Sequence, residues 1–254
     1  MKMQSARPDY RYRLIPTADA DRAAQQRDID IHLDDEQRIR LPAGFEPPDW
    51  TRLDYHQCSH CPLDPAEYRY CPLALKLAWI LPERGLPPSH HTITLEVDTP
   101  ERTYRAETTL QRALSSLFGL VSALSDCPHT RFLRPMALFH LPVSMDREAL
   151  VRVLAFRLLD RYLEHRRDPQ IPVDLEGLDE AYRNLNRLNR DFLERLRDGS
   201  SDAPVNAVLL LEMLTREMNW ELEDELAHVA EFFSAPEPAP EPEAPEQIDS
   251  RQQL

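Results

Sequence analysis

Glycine is scarce in this chain: five occur in 254 residues, and none forms GxGxxG or a GxxxxGK followed by Ser or Thr. Those loops let backbone amides approach nucleotide phosphates, so the common dinucleotide and P-loop folds lose their support. Positive charge is also in short supply. Thirty Lys and Arg stand against 44 Asp and Glu, a net charge of −14, with no compact basic block interleaved with aromatics. Such a field repels a phosphate backbone and argues against a nucleic-acid partner. Long apolar runs are missing too. The N-terminal MKMQSARPDYRYRL has no apolar core of signal-peptide length, and no later stretch reaches the roughly 20 apolar residues that span a bilayer. A soluble, cytoplasmic protein without membrane association is the expectation.

Cysteine is sparse but patterned. Cys58, Cys61 and Cys71 form C-x2-C-x9-C, and Cys127 follows after 55 intervening residues. Proline succeeds three of them (Pro62, Pro72, Pro128), fixing φ where the chain must turn. In a reducing compartment such a set points to a metal site or buried thiols rather than two disulfides. C-x2-C is the spacing at which a tight loop brings two sulfurs to one ion, so Cys58, Cys61, Cys71 and Cys127 are the candidate ligands of a tetrahedral zinc site. An iron–sulfur cluster is the second reading, and no metal, with the cysteines as small buried hydrophobes, the third. His56, His60 and His129 each lie within two residues of a cysteine and are candidates to replace one. Asp64, Glu67 and Asp126 are the acids an open, catalytic site would draw on. A Cys127–His129 nucleophilic pair is weaker, because such pairs usually assemble from distant segments.

Strand patterns dominate the first 110 residues. Tyr10 to Ile15 and Ile29 to Leu33 alternate charged and apolar residues, Ile39 to Leu41 follows an acidic break, and Thr92 to Asp98 and Thr103 to Thr108 flank the turn Thr99-Pro100-Glu101. Pro72 suits the first turn of a short helix. From Thr109 to Ser125 the apolar period becomes helical, ending just before Cys127. Ser144 precedes an acidic first turn, and Leu150, Val153, Leu154, Leu158 and Tyr162 form an apolar face predicting a core helix. Leu175, Leu178, Tyr182, Leu185, Asn189, Phe192 and Leu196 make a heptad seam over 174–197, with one polar member to set register. A further helix over about 203–233 completes a helical hairpin, and APEPAPEPEAPEQIDSRQQL has the composition of a disordered tail. Cys127 to Ser144 interleaves Arg131, Arg134 and two histidines with apolar residues, and reads as a buried connector in preference to an anion pocket.

The stretches CSHCP and YCPLA, together with CPHTRFLRPMALFHLP, resemble an uncharacterised bacterial family that carries a cysteine pair, a Cys-Pro and a later CP-x4-FLRPMA-x-FHLP run. The resemblance spans roughly residues 55–165. It implies a bacterial cytoplasmic setting and deliberate cysteine placement, and no activity.

The expected fold is α+β. A small N-terminal antiparallel sheet and a cysteine-rich knuckle pack against helices over 1–168, followed by the helical hairpin over 169–234 and the tail over 235–254. The expected function is that of a non-catalytic, zinc-binding regulatory or adaptor protein. It would act through a protein partner or self-association of the C-terminal helices. The alternative is an iron–sulfur or open-metal-site redox protein or enzyme.

Overall fold

Alternation builds the sheet. In β1 (Tyr10–Pro16) Tyr10, Tyr12 and Leu14 are buried, while Arg11 and Arg13 take the opposite face. β1 pairs antiparallel with β2 (Arg27–Ile31) on one side and β3 (Thr92–Asp98) on the other, and β3 pairs with β4 (Thr103–Thr109), giving the order β2-β1-β3-β4. The register stacks Ile29, Tyr12, Val97 and Tyr104 in one row across all four strands. On the other face the row Asp28, Arg13, Glu96, Arg105 alternates in charge, with ion pairs of 3.3 Å for Arg13–Glu96 and 3.5 Å for Arg105–Glu96. Solvated pairs of this kind contribute at most about 1 kcal/mol each. The apolar row is the structural one.

The computed structural model describes residues 7–17, 25–81, 86, 88–197, 204, 226, 227, 229, 230 and 233. The named elements all lie in one unit, residues 1–221, and a second unit spans 222–254. The second arm of the expected hairpin and the tail at 235–254 lie almost wholly outside the described residues.

Helices α1 (Pro72–Ile80) and α2 (Leu110–Ala123) cover the inner face of the sheet. Thr109 caps α2, accepting the Arg112 amide on its side chain. Leu110, Leu114, Leu117, Phe118 and Val121 of α2 are fully buried and share one apolar core with Leu73, Ala74 and Leu77 of α1 and with the inward strand residues. Each such side chain stabilises the fold by about 1.5–3 kcal/mol.

Three expectations are refined. Ile39 to Leu41 forms no strand, only a bridge from Ile39 to Leu33. The carboxylate of Asp34 draws the intervening turn tight by accepting the Glu36 and Arg38 amides. α4 (Asp146–His165) follows the short α3 (Arg134–Leu138) and starts one residue later than Ser144 implied, with Glu148 accepting the Met145 amide at 2.8 Å. Its first half is core through Leu150, Val153 and Leu154, whereas Leu158, Leu159, Tyr162 and Leu163 are 39–50 % exposed. α5 (Leu178–Arg197) begins after Gly177, whose φ of 77° breaks the helical path through 174–177. Leu188, Phe192, Leu193 and Leu196 of α5 belong to the same core as the sheet.

Candidate thiol site

Three segments carry the four cysteines, and local hydrogen bonds shape each one. The first starts at a 3-10 turn, Asp49–Thr51, and closes at its neck, where Arg52 bridges Tyr70 and the Cys71 amide donates to the Thr51 carbonyl at 2.8 Å. Inside that loop the Cys61 amide donates to the Cys58 carbonyl at 3.0 Å, the tight turn that the C-x2-C spacing predicts. Cys71 then stands at the N-cap of α1, near the backbone amides of Leu73 and Ala74 but without a side-chain capping hydrogen bond. Cys127 follows the C-terminus of α2. Its turn is drawn in by Thr130, whose amide donates to the Cys127 carbonyl at 3.1 Å and whose hydroxyl donates to that of Ser122 at 2.5 Å.

The structure brings these segments together. The His129 ring stacks on that of His60, with centroids 4.1 Å apart, and its Nε2 is bonded to the His60 carbonyl at 3.0 Å. His60 Nε2 is in turn bonded to the Asn184 carbonyl of α5 at 2.9 Å. Against a carbonyl each Nε2 must donate, so these two nitrogens are engaged. Asp64 turns its carboxylate to the Ala66 amide, and Asp126 pairs with Arg38. Arg134 of the connector bonds the Glu36 carbonyl, while Leu138 and Phe139 of the same stretch are exposed.

Burial pushes the Cys58 and Cys127 thiols up to about 12, and the neighbouring sulfurs add to the rise. Burial also raises the Cys71 thiol, against the opposing charge of Arg195 and the two nearby amides. None of the four is in a disulfide. Among the described residues no group of three or more His, Cys, Asp or Glu side chains stands ready-made as a metal site. What is present is a thiol-rich stretch of chain, with Cys71 and Cys127 buried and Cys58 and Cys61 half-buried.

The residue that sequence reasoning missed is Arg195. It is 1 % exposed, yet carries a guanidinium. Its Nη1 donates to the carbonyls of Trp50 (2.6 Å) and Arg52 (2.7 Å), and its Nη2 to those of Leu53 (3.4 Å) and His56 (3.2 Å). It therefore holds the stretch that leads into Cys58. Asp191, one turn earlier, accepts both the amide (2.7 Å) and the hydroxyl (2.8 Å) of Ser59. The signal was present in the sequence: Leu188, Phe192 and Arg195 fall on one helical stripe, and a charge on an apolar stripe must find partners inside.

A second buried network stands apart from the thiols. Tyr12 is hydrogen-bonded to His140 and lies 3.4 Å from Ser116 Oγ, which accepts the Val143 amide at 3.2 Å. Burial, aided by the charge of Arg152, pushes His140 down to about 3. The imidazole is neutral, and its bond to the Tyr12 hydroxyl ties His140 of the FHLP stretch to the sheet.

Fold and site together define an α+β protein with a thiol-rich knuckle clasped by a helix. The chain belongs to DUF6901, a domain of unknown function, whose family model matches residues 9–234. The match extends well beyond the motif-bearing 55–165. No curated protein and no solved structure matches.

Proposed function

We propose that Cys58, Cys61, Cys71 and Cys127 bind one metal ion, zinc, as thiolates. In this reading the protein is a non-catalytic regulatory or adaptor protein stapled by that metal. The observation that carries it is the meeting of the cysteine-bearing turns: His129, two residues after Cys127, bonds the carbonyl of His60, between Cys58 and Cys61, at 3.0 Å, and the Cys71 amide closes the neck of the same loop on the Thr51 carbonyl at 2.8 Å. Ligation of one ion calls for the side chains to turn together, each thiol releasing its proton to solvent as its sulfur binds. The polar neighbours support a structural role, since Ser59, His60, His129 and Asp191 are tied to one another or to backbone. A cytoplasmic setting suits four cysteines without a disulfide. Two features bear on a protein partner. The seam residues Leu178, Tyr182, Leu185, Asn189, Phe192 and Leu196 are buried, whereas the second half of α4 exposes contiguous apolar side chains.

The test is metal analysis of the anaerobically purified chain. About one zinc per chain in a colourless protein, lost in Cys71→Ser, supports the reading. A brown protein absorbing near about 400 nm shifts it to an iron–sulfur redox protein. Absence of any cysteine-dependent metal overturns it.

A further inference from the structure

A sheet in the order β2-β1-β3-β4 has two edges, and β4 is the longer of them, seven residues against five. Edge strands present unpaired amides and carbonyls, which natural proteins commonly blunt with proline, a bulge, lysine or a covering segment. β4 contains neither proline nor lysine, and its register with β3 is unbroken. Hydrogen bonds from the Thr99 amide to the Arg102 carbonyl and from the Leu110 amide to the His91 carbonyl, both 2.9 Å, mark bonded pairs at the two ends of this hairpin. Bonded and non-bonded pairs alternate in an antiparallel ladder, so Tyr104, Ala106 and Thr108 direct their backbone groups to β3, and Thr103, Arg105 and Glu107 direct theirs away from it. Among the described residues no hydrogen bond leads from the backbone of Arg105 or Glu107 to another segment. The edge borders a cleft of about 450 Å³, lined in part by Ala106, Glu107, Thr108 and Arg112. Arg105 and Glu107 are exposed, the Arg105 side chain to 69 %, and Glu107 has no ion-pair or hydrogen-bond partner among the described residues.

We propose that β4 pairs antiparallel with β4 of a second copy of this chain about a two-fold axis at Ala106, joining two four-stranded sheets into one continuous sheet. The order of the charges selects that occupant. In this register Arg105 lies opposite the partner's Glu107, and Glu107 opposite the partner's Arg105. Both positions turn their backbone groups outward, so each charge pair is also a bonded pair with two backbone hydrogen bonds. The small side chain of Ala106 meets its own copy at the axis, where a non-bonded pair brings Cα atoms to about 4.5 Å. On the solvated face the row Asp28, Arg13, Glu96, Arg105 continues into the partner's Glu107, and the signs alternate across the junction. The neighbouring registers that keep the bonding pattern centre on Arg105 or on Glu107, and place two arginines or two glutamates directly opposite one another. Like charges so placed are destabilising. Charges that guard the edge against a foreign strand are thus complementary to their own copy in one register. This interface is independent of the thiol site and of any metal.

Sedimentation equilibrium of the full chain across the micromolar range decides the matter, with circular dichroism to check that each variant is folded. The proposal expects a monomer–dimer equilibrium that Arg105→Glu and Glu107→Arg each weaken roughly tenfold or more, since either change sets like charges opposite one another in both cross-strand pairs. An equimolar mixture of the two single variants should form a heterodimer, because every pair in it is again opposite in charge. The double variant, Arg105→Glu with Glu107→Arg, should recover self-association. Amide exchange supplies a readout that needs no variant: the amides of Arg105 and Glu107 should gain protection as the concentration rises, while those of Tyr104 and Ala106, already directed to β3, should change little. A chain that stays monomeric throughout overturns the proposal. So does a dimer indifferent to Arg105→Glu, or one lost instead in Leu159→Gln, which would put the contact on the exposed part of α4. If a single variant does not fold, amide exchange in the wild-type chain decides alone.

Discussion

The two halves of the molecule are held by different physics. Where α2 lies on the sheet, the contacts are mainly apolar, with one side-chain polar link from Tyr12 to Ser116 and His140: Leu110, Leu114, Leu117, Phe118 and Val121 meet Tyr12, Leu95 and Val97 in one core. Around the cysteines, irregular chain is held by side chains that reach across the fold, namely Arg195 to four carbonyls, Asp191 to Ser59 and His129 to His60. The first half rests chiefly on the exclusion of water, with His140 its one strongly shifted histidine. The second needs specific partners, so it is the half whose stability should depend on a bound ion.

The largest effect that tests this contrast is Phe118→Ala. The cavity should cost about 3–5 kcal/mol in denaturant unfolding, equally with zinc or with EDTA. A cost that vanished in EDTA would mean the two halves are not separable. Next, EDTA should destabilise the wild-type chain by about 3–4 kcal/mol when free zinc had stood some 100- to 1,000-fold above its dissociation constant. Cys71→Ser should show no response to EDTA. Acid supplies a third test. His140 is held neutral with a folded value of about 3 against 6.5 for a fully solvated imidazole, so between those limits the unfolded chain binds a proton that the folded chain refuses. Its contribution is fully present above 6.5 and fades as the pH falls toward 3. His140→Gln keeps an acceptor for Tyr12 without titrating, and near pH 4.5 should recover on the order of 2 kcal/mol relative to wild type, referenced to about pH 7.5. An identical pH profile would place the acid sensitivity elsewhere. The smallest effect belongs to the exposed part of α4, where Leu159→Gln should change stability by about 0.5 kcal/mol or less.

How much was legible followed from which physics each element uses. β1, β3, β4 and α2 were read within a residue or two because Tyr12, Leu95, Val97 and Leu114 repeat at the period of their own element. The Cys58–Cys61 turn was legible from spacing alone. The apolar face of α4 was read as core throughout, yet periodicity reports which residues share a face and not how far that face is covered; coverage stops after Leu154. Arg195 was overlooked for a related reason. A heptad seam names the apolar members, and a charged residue beside them acquires its meaning only when a loop some 140 positions earlier folds beneath it. The partnership of His60 with His129 is likewise tertiary, set by the meeting of two turns.

The scarcity of glycine returns in the backbone. Gln37, His56, Asp126 and Val143 all adopt positive φ, at 59°, 43°, 68° and 46°, a region glycine enters at little cost and other residues enter at roughly 1–2 kcal/mol. Two of the four stand directly before or two residues before a cysteine. Glycine there would relax the folded loop, but it would also widen the set of conformations open to the unfolded chain, an entropic loss of about 0.4–1 kcal/mol. Asp126 adds a link to Arg38 at 3.7 Å that glycine lacks. The knuckle loops are therefore restricted before folding begins: part of their order is written into the narrowness of the denatured ensemble, where no inventory of native contacts records it.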